Sequence, residues 1–172
     1  MSIFGLHGHV SIDLSSNSLE GSVPDYFRNI SFLEVLDLRE LSSLKFFDVS
    51  ENELNGTFPG CFGQLESLET LNLGCNLLEG VVSETHLFNL TRLKTLVASE
   101  NRLRFEPKSN WIPPFQCRII KLGQWQLRPK FPRWLKFQKN FCFRYLRCRN
   151  FEYLAHLAFE LALSISICKS FL

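Results

Sequence analysis

A solenoid of stacked coils, each adding one short parallel strand to a concave sheet, is the fold class that this 172-residue sequence predicts. Three observations predict it. An apolar pair two residues apart is followed, three residues on, by asparagine; the group recurs at a fixed distance; and Gly and Pro return at matching offsets. Ile12-x-Leu14-x-x-Asn17-x-Leu19-x-Gly21-x-Val23-Pro24 matches Phe47-x-Val49-x-x-Asn52-x-Leu54-x-Gly56-x-Phe58-Pro59 and Leu71-x-Leu73-x-x-Asn76-x-Leu78-x-Gly80-x-Val82. A fourth copy, Leu96-x-Ala98-x-x-Asn101-x-Leu103-x-Phe105, keeps the spacing without the glycine and proline. Asn52 to Asn76 is 24 residues, Asn76 to Asn101 is 25, and a further 24 lead to Trp125.

Each part of the coil follows from this pattern. The apolar pair reads as a short strand with both side chains inward, because alternate strand residues share a face. Upstream, Leu41 and Leu44, Leu65 and Leu68, or Leu90 and Leu93 continue at three-residue steps and face the same core. The asparagines Asn17, Asn52, Asn76 and Asn101 then form an expected ladder. Where the chain leaves the strand its backbone loses partners, and a buried amide can both donate and accept.

These residues resemble the plant-specific extracellular leucine-rich repeat, LxxLxxLxLxxNxLxGxxPxxL. "GVVSETHLFNLTRLKTL" (80–96), "WIPPFQC" (111–117) and "KFPRWLKFQ" (130–138) are similar to receptor-like proteins of the fungal-xylanase-elicitor receptor group. The likeness covers about residues 6 to 140. It implies a leucine-rich-repeat solenoid of the α/β type, with short parallel β-strands on the concave face and turns and 3-10 segments on the convex face. Residues 1–140 are expected to hold about five to six coils, one shortened near 38–41, and 141–172 a non-repeat tail, irregular or helical. The resemblance also implies a recognition module for a protein, peptide or glycan ligand, placed in defence signalling by elicitor perception. Intact relatives would signal through co-receptor kinases from the extracellular side of the plasma membrane. The alternative is a soluble leucine-rich-repeat inhibitor of cell-wall-degrading enzymes, for which cysteine-stabilised caps are expected at both ends, or a truncated product with no activity of its own.

Several features read as those of a fragment. "MSIFGLHGHVSIDLSSN" enters the first repeat without the basic start, apolar run and cleavage site of a signal peptide. Asn17 to Asn52 is 35 residues where two periods would need about 48, a deficit falling at "LEVLDLRELSSLKFF" (33–47). From Cys142 the period is lost, which suggests a frameshift or displaced exon boundary near Phe141. Residues 151–168 could be helical, yet Glu152, His156 and Glu160 interrupt them, and a membrane span needs about 20 apolar residues.

Chemistry of other kinds finds little footing. The net charge of +2 gives no reason to favour nucleic acid, and the basic residues from Arg118 to Arg149 alternate with apolar ones rather than forming a stripe. His7 and His9 lack companions for a metal site, and no nucleophile elbow or phosphate loop occurs, so neither enzyme activity nor a cofactor is expected. Of the six cysteines none pairs at a cap or CxxC spacing, and Cys117 falls in an inward apolar slot. Asn29, Asn55 and Asn89 lie in N-x-[S/T] sequons, outside the inward strand positions, and read as glycosylation acceptors.

What remains is a surface. Residues between the inward strand positions line the concave sheet, where solenoids usually bind. By phase the candidate ligand-binding residues are Asp13, Phe46, Asp48, Thr70, Asn72, Thr95, Val97, Ile119 and Lys121, with Ser11, Ser15, Ser50, Gly74, Ser99 and Gly123 beside them. Phe46 and Ile119 are the large apolar members and the expected hot spot. Trp111, Pro113, Pro114 and Phe115 read as packing on the outer side of a coil.

Overall fold

The computed structural model describes residues 11–22, 43–58, 60–127 and 133–138. Outside these lie His7, His9, the sequon at Asn29, the shortened coil near 38–41 and the tail 141–172. Five three-residue strands, β1 (Ser11–Asp13), β3 (Phe46–Asp48), β5 (Thr70–Asn72), β7 (Thr95–Val97) and β9 (Ile119–Lys121), form one parallel sheet in the order β1-β3-β5-β7-β9. From β3 onward the register repeats the period of the sequence: Phe47 pairs with Leu71, Leu71 with Leu96, and Leu96 with Ile120. β1 pairs directly with β3, Ile12 against Phe47.

Alternation sets the core. In β3, β5, β7 and β9 the central residue is buried and its neighbours are half-buried. Leu44, Leu68 and Leu93, at the three-residue step before each strand, are buried as well, and so are Leu73 and Leu122 beyond it. Each such side chain contributes about 1.5–3 kcal/mol of burial. The solenoid exists because neighbouring coils supply the walls of each other's core.

A second, staggered set of strands turns the coil: β2 (Glu20–Ser22), β4 (Glu53–Asn55), β6 (Glu79–Val82), β8 (Arg102–Phe105) and β10 (Gln126–Leu127). They pair in parallel, β2 with β4, and β8 with both β6 and β10. The pairing slips two residues at every joint. Glu20, three after its asparagine, faces Glu53, one after; Glu79 faces Arg102 in the same way. Asn55 ends β4, and Leu54, Leu78 and Leu103 point inward from this wall. The convex side is closed by 3-10 turns at Gly60–Gln64, Glu84–His86 and Arg133–Phe137.

The bend between the two strand sets explains the asparagines. The residue before each is left-handed although not glycine: Ser16, Glu51, Cys75 and Glu100 have φ between 53° and 58°, and Gln124 before Trp125 has 71°. Such backbone costs about 1–3 kcal/mol per residue. It keeps amides aimed at the next coil, as in Glu51 N–H to the Gly74 carbonyl and Cys75 N–H to that of Ser99, both 2.9 Å.

Asn52, Asn76 and Asn101 stand in one buried file. The Asn76 Nδ2 donates to the Val49 carbonyl of the preceding coil (2.9 Å) and to those of Leu73 and Gly74 in its own, while Oδ1 accepts the Leu54 N–H (3.0 Å). Asn52 and Asn101 repeat the scheme with Leu14 and Leu19, and with Leu73 and Leu78. Asn17 is exposed and bonds the Leu14 and Ser15 carbonyls of its own coil. At the next rung the indole N–H of Trp125 donates to the Ala98 carbonyl at 2.8 Å. Tryptophan supplies the donor of that rung and no acceptor.

Loss of the repeat glycine at Phe105 accompanies an aromatic nest. Phe105 lies edge-on or tilted to Trp111, Trp125 and Trp134 at 5.5–6.0 Å, and Phe115 joins through Trp111 and Trp134. Trp111 is half-buried and packs against the core, Phe115 lies within it, and Pro113 is buried; Pro114 is exposed. Buried Gln138 accepts the Cys117 N–H on Oε1 (2.8 Å) and donates from Nε2 to the Phe115 carbonyl (3.0 Å).

Candidate functional site

The outward residues of the five-stranded sheet fall into rows fixed by register. Ser11, Phe46, Thr70, Thr95 and Ile119 form one row; Asp13, Asp48, Asn72, Val97 and Lys121 form the next. All residues of the two rows share this one surface, half-buried except for exposed Ser11 and Asp13. Phe46 and Ile119 share a row but sit three strands apart, about 14 Å at the usual strand spacing. Thr70 and Thr95 separate them, so they form two apolar points rather than one cluster.

The polar side chains at the strand ends are held by short local bonds. Asp13 Oδ1 accepts from the Ser15 N–H (3.0 Å) and hydroxyl (2.6 Å), and Asp48 Oδ1 does the same with Ser50 (2.9 and 2.6 Å). Asn72 continues the motif by accepting the Gly74 N–H at 3.1 Å, and its Nδ2 donates to Asp48 Oδ2 (2.7 Å) and Ser50 Oγ (3.1 Å). Aspartate, asparagine and serine suit this place because their side chains bond backbone two residues on. The bonds from Ser15 hold the Asp13 carboxyl below its ordinary value, keeping it charged. Val97 cannot make this bond, and Ser99 Oγ instead accepts the Gly123 N–H at 3.1 Å.

Along the strand entrances stand four charged residues, Lys45, Glu69, Lys94 and Arg118, one carboxylate among three cations. Lys94 Nζ meets Glu69 at 2.5 Å, and chiefly this bond holds the Glu69 carboxyl low. Cys75 is exposed as a residue, but partial desolvation at its thiol, with Glu100 and Glu51 nearby, raises that thiol above its ordinary value. Cys117 is buried, its thiol pushed up to about 12 by that burial, and acts as a small apolar side chain. Among the described residues no group of three or more His, Cys, Asp or Glu could hold a metal ion. Also among them, no helix is long and apolar enough to cross a membrane. Of the other two sequons, Asn55 is exposed and Asn89 is half-buried in a turn.

Comparison with known proteins gives the same architecture. A family profile described as leucine rich repeat matches residues 41–103, and a second leucine rich repeat profile matches residues 10–30. Receptor-like protein EIX1 of Solanum lycopersicum is 44% identical over 64 residues, 37% of this chain and 6% of that protein. Receptor-like protein EIX2 of the same organism is 38% identical over 63 residues, again 37% of this chain and 6% of that protein. The match therefore spans a small part of these relatives' length. Among solved structures, the PEPR1–AtPEP1 complex superposes with a TM-score of 0.64 at 25% identity, over 81% of this chain and 18% of that one. The plant peptide hormone receptor RGFR1, in complex with RGF2, gives 0.57 at 27% identity over 79% and 20%.

Proposed function

From a leucine-rich-repeat chain homologous over part of its length to plant receptor-like proteins, we propose a non-catalytic recognition module that binds a protein or peptide ligand on its concave sheet. The observation that carries this reading is the row structure: five registered strands present a continuous outward surface of mostly small polar side chains, with the large apolar Phe46 and Ile119 toward its two ends and the smaller Val97 between. A neighbour of the same fold, RGFR1 in complex with RGF2, is a plant peptide hormone receptor, which favours a peptide. The module belongs to elicitor perception in defence, works on the extracellular side of the plasma membrane beside co-receptor kinases, and carries glycans at Asn55 and Asn89. A double substitution tests the surface. Phe46→Ala with Ile119→Ala removes both apolar points without touching the buried core, so ligand affinity should fall about tenfold or more at unchanged circular dichroism. Unchanged affinity contradicts the concave assignment.

A further inference from the structure

The charges of the concave sheet are sorted along a single row. From β1 to β9 it reads Asp13, Asp48, Asn72, Val97, Lys121: two carboxylates, an amide, an apolar side chain and an ammonium. The two carboxylates are nearest neighbours on adjacent strands, a like-charge pairing that weakens a sheet. The ion pairs found among the described residues, Lys94 with Glu69 and Lys108 with Glu84, involve neither aspartate and not Lys121. Among the described residues, opposite charges thus stand without an ion-pair partner at the two ends of one transverse row.

The middle of the row is chemically quiet. Asn72 spends Nδ2 on Asp48 and Ser50 and accepts the Gly74 N–H on Oδ1, and Val97 offers no polar atom. Discrimination therefore sits at the ends. With strands about 4.8 Å apart, Lys121 lies about 14 Å from Asp48 and about 19 Å from Asp13, which an extended chain covers in about four to six residues. A neutral glycan would leave both ends unanswered.

We propose that this row reads the polarity of an extended peptide lying across the strands, with a cationic side chain over Asp13 and Asp48 and a carboxylate on Lys121, about four to six residues apart. The inference rests on the concave recognition surface proposed above and names the chemistry of its ligand. Complementary charge of this kind sets register and orientation more than total affinity.

The probe is an array of Ser/Gly decapeptides, each with one Arg and one Glu, at every separation and in both orders, incubated with the full chain. Binding should peak at separations of about four to six residues and fall as salt shortens the screening length. Lys121→Glu should weaken the best peptide about threefold to fivefold, the size of one exposed ion pair, and strengthen its Arg/Arg counterpart. Asp13→Asn, an exposed and nearly isosteric change, should weaken the same peptide without altering circular dichroism. Signal independent of separation, or indifferent to both variants, overturns the proposal. If such flat binding still disappears in the Phe46→Ala, Ile119→Ala double variant, the polarity falls and the concave surface stands. If that variant also changes nothing, both fall.

Discussion

At the scale of the residue, one amide joins two coils. Asn76 takes the Leu54 N–H on Oδ1 and gives its own hydrogens to the carbonyls of Val49, Leu73 and Gly74, all within 3.2 Å. Leucine has similar bulk and more apolar surface, but in that place it leaves buried backbone groups unpaired. Asn76→Leu should therefore lower stability by about 1–3 kcal/mol or more, read as a lower urea midpoint. A midpoint at or above that of the parent chain would mean that apolar bulk outweighs the amide. The spacing of asparagines made this ladder legible in the sequence. The left-handed residues before them were not, because Ser16, Glu51, Cys75, Glu100 and Gln124 share no side-chain chemistry. What they share is a place in the coil, where the inter-coil bonds impose the conformation.

At the scale of the element, two strand sets of unequal visibility build each coil. The concave strands declare themselves through paired apolar residues. The second set does not, since "Glu53-Leu54-Asn55-Gly56" carries turn residues around one leucine, and its pairing slips by two residues at each joint. Nor could spacing reveal the aromatic nest, which gathers Phe105, Trp111, Phe115, Trp125 and Trp134 from three stretches of chain. Phe105 stands where earlier copies have the positive-φ glycines Gly21, Gly56 and Gly80. Reinstating the repeat by Phe105→Gly should destabilise, because a ring packed against three tryptophans is removed. The expected loss is about 3–5 kcal/mol, with added backbone freedom increasing it. Thermal or urea unfolding of the variant gives the answer; a gain in stability would show that the repeat pattern, not the nest, governs this coil.

At the scale of the whole molecule, the concave rows exist because each coil is tied in register to the next. Candidate ligand residues could be placed on that surface from phase alone. Their order along a row, and the separation of Phe46 from Ile119, came only with the strand pairing. β1 shows why: it pairs with β3 across 35 residues, a distance that fits neither one period nor two. If the amide file is what holds register, loosening one rung must open the joint it closes and leave the strands within the neighbouring coils in place. Native-state hydrogen exchange on Asn76→Leu measures this directly. The Leu54 amide, the donor to Asn76 Oδ1, should lose its protection, while the Leu78 amide, which donates to Asn101 Oδ1, keeps it. Equal loss at both positions, or none at Leu54, would contradict a ladder of local ties and the surface built upon it.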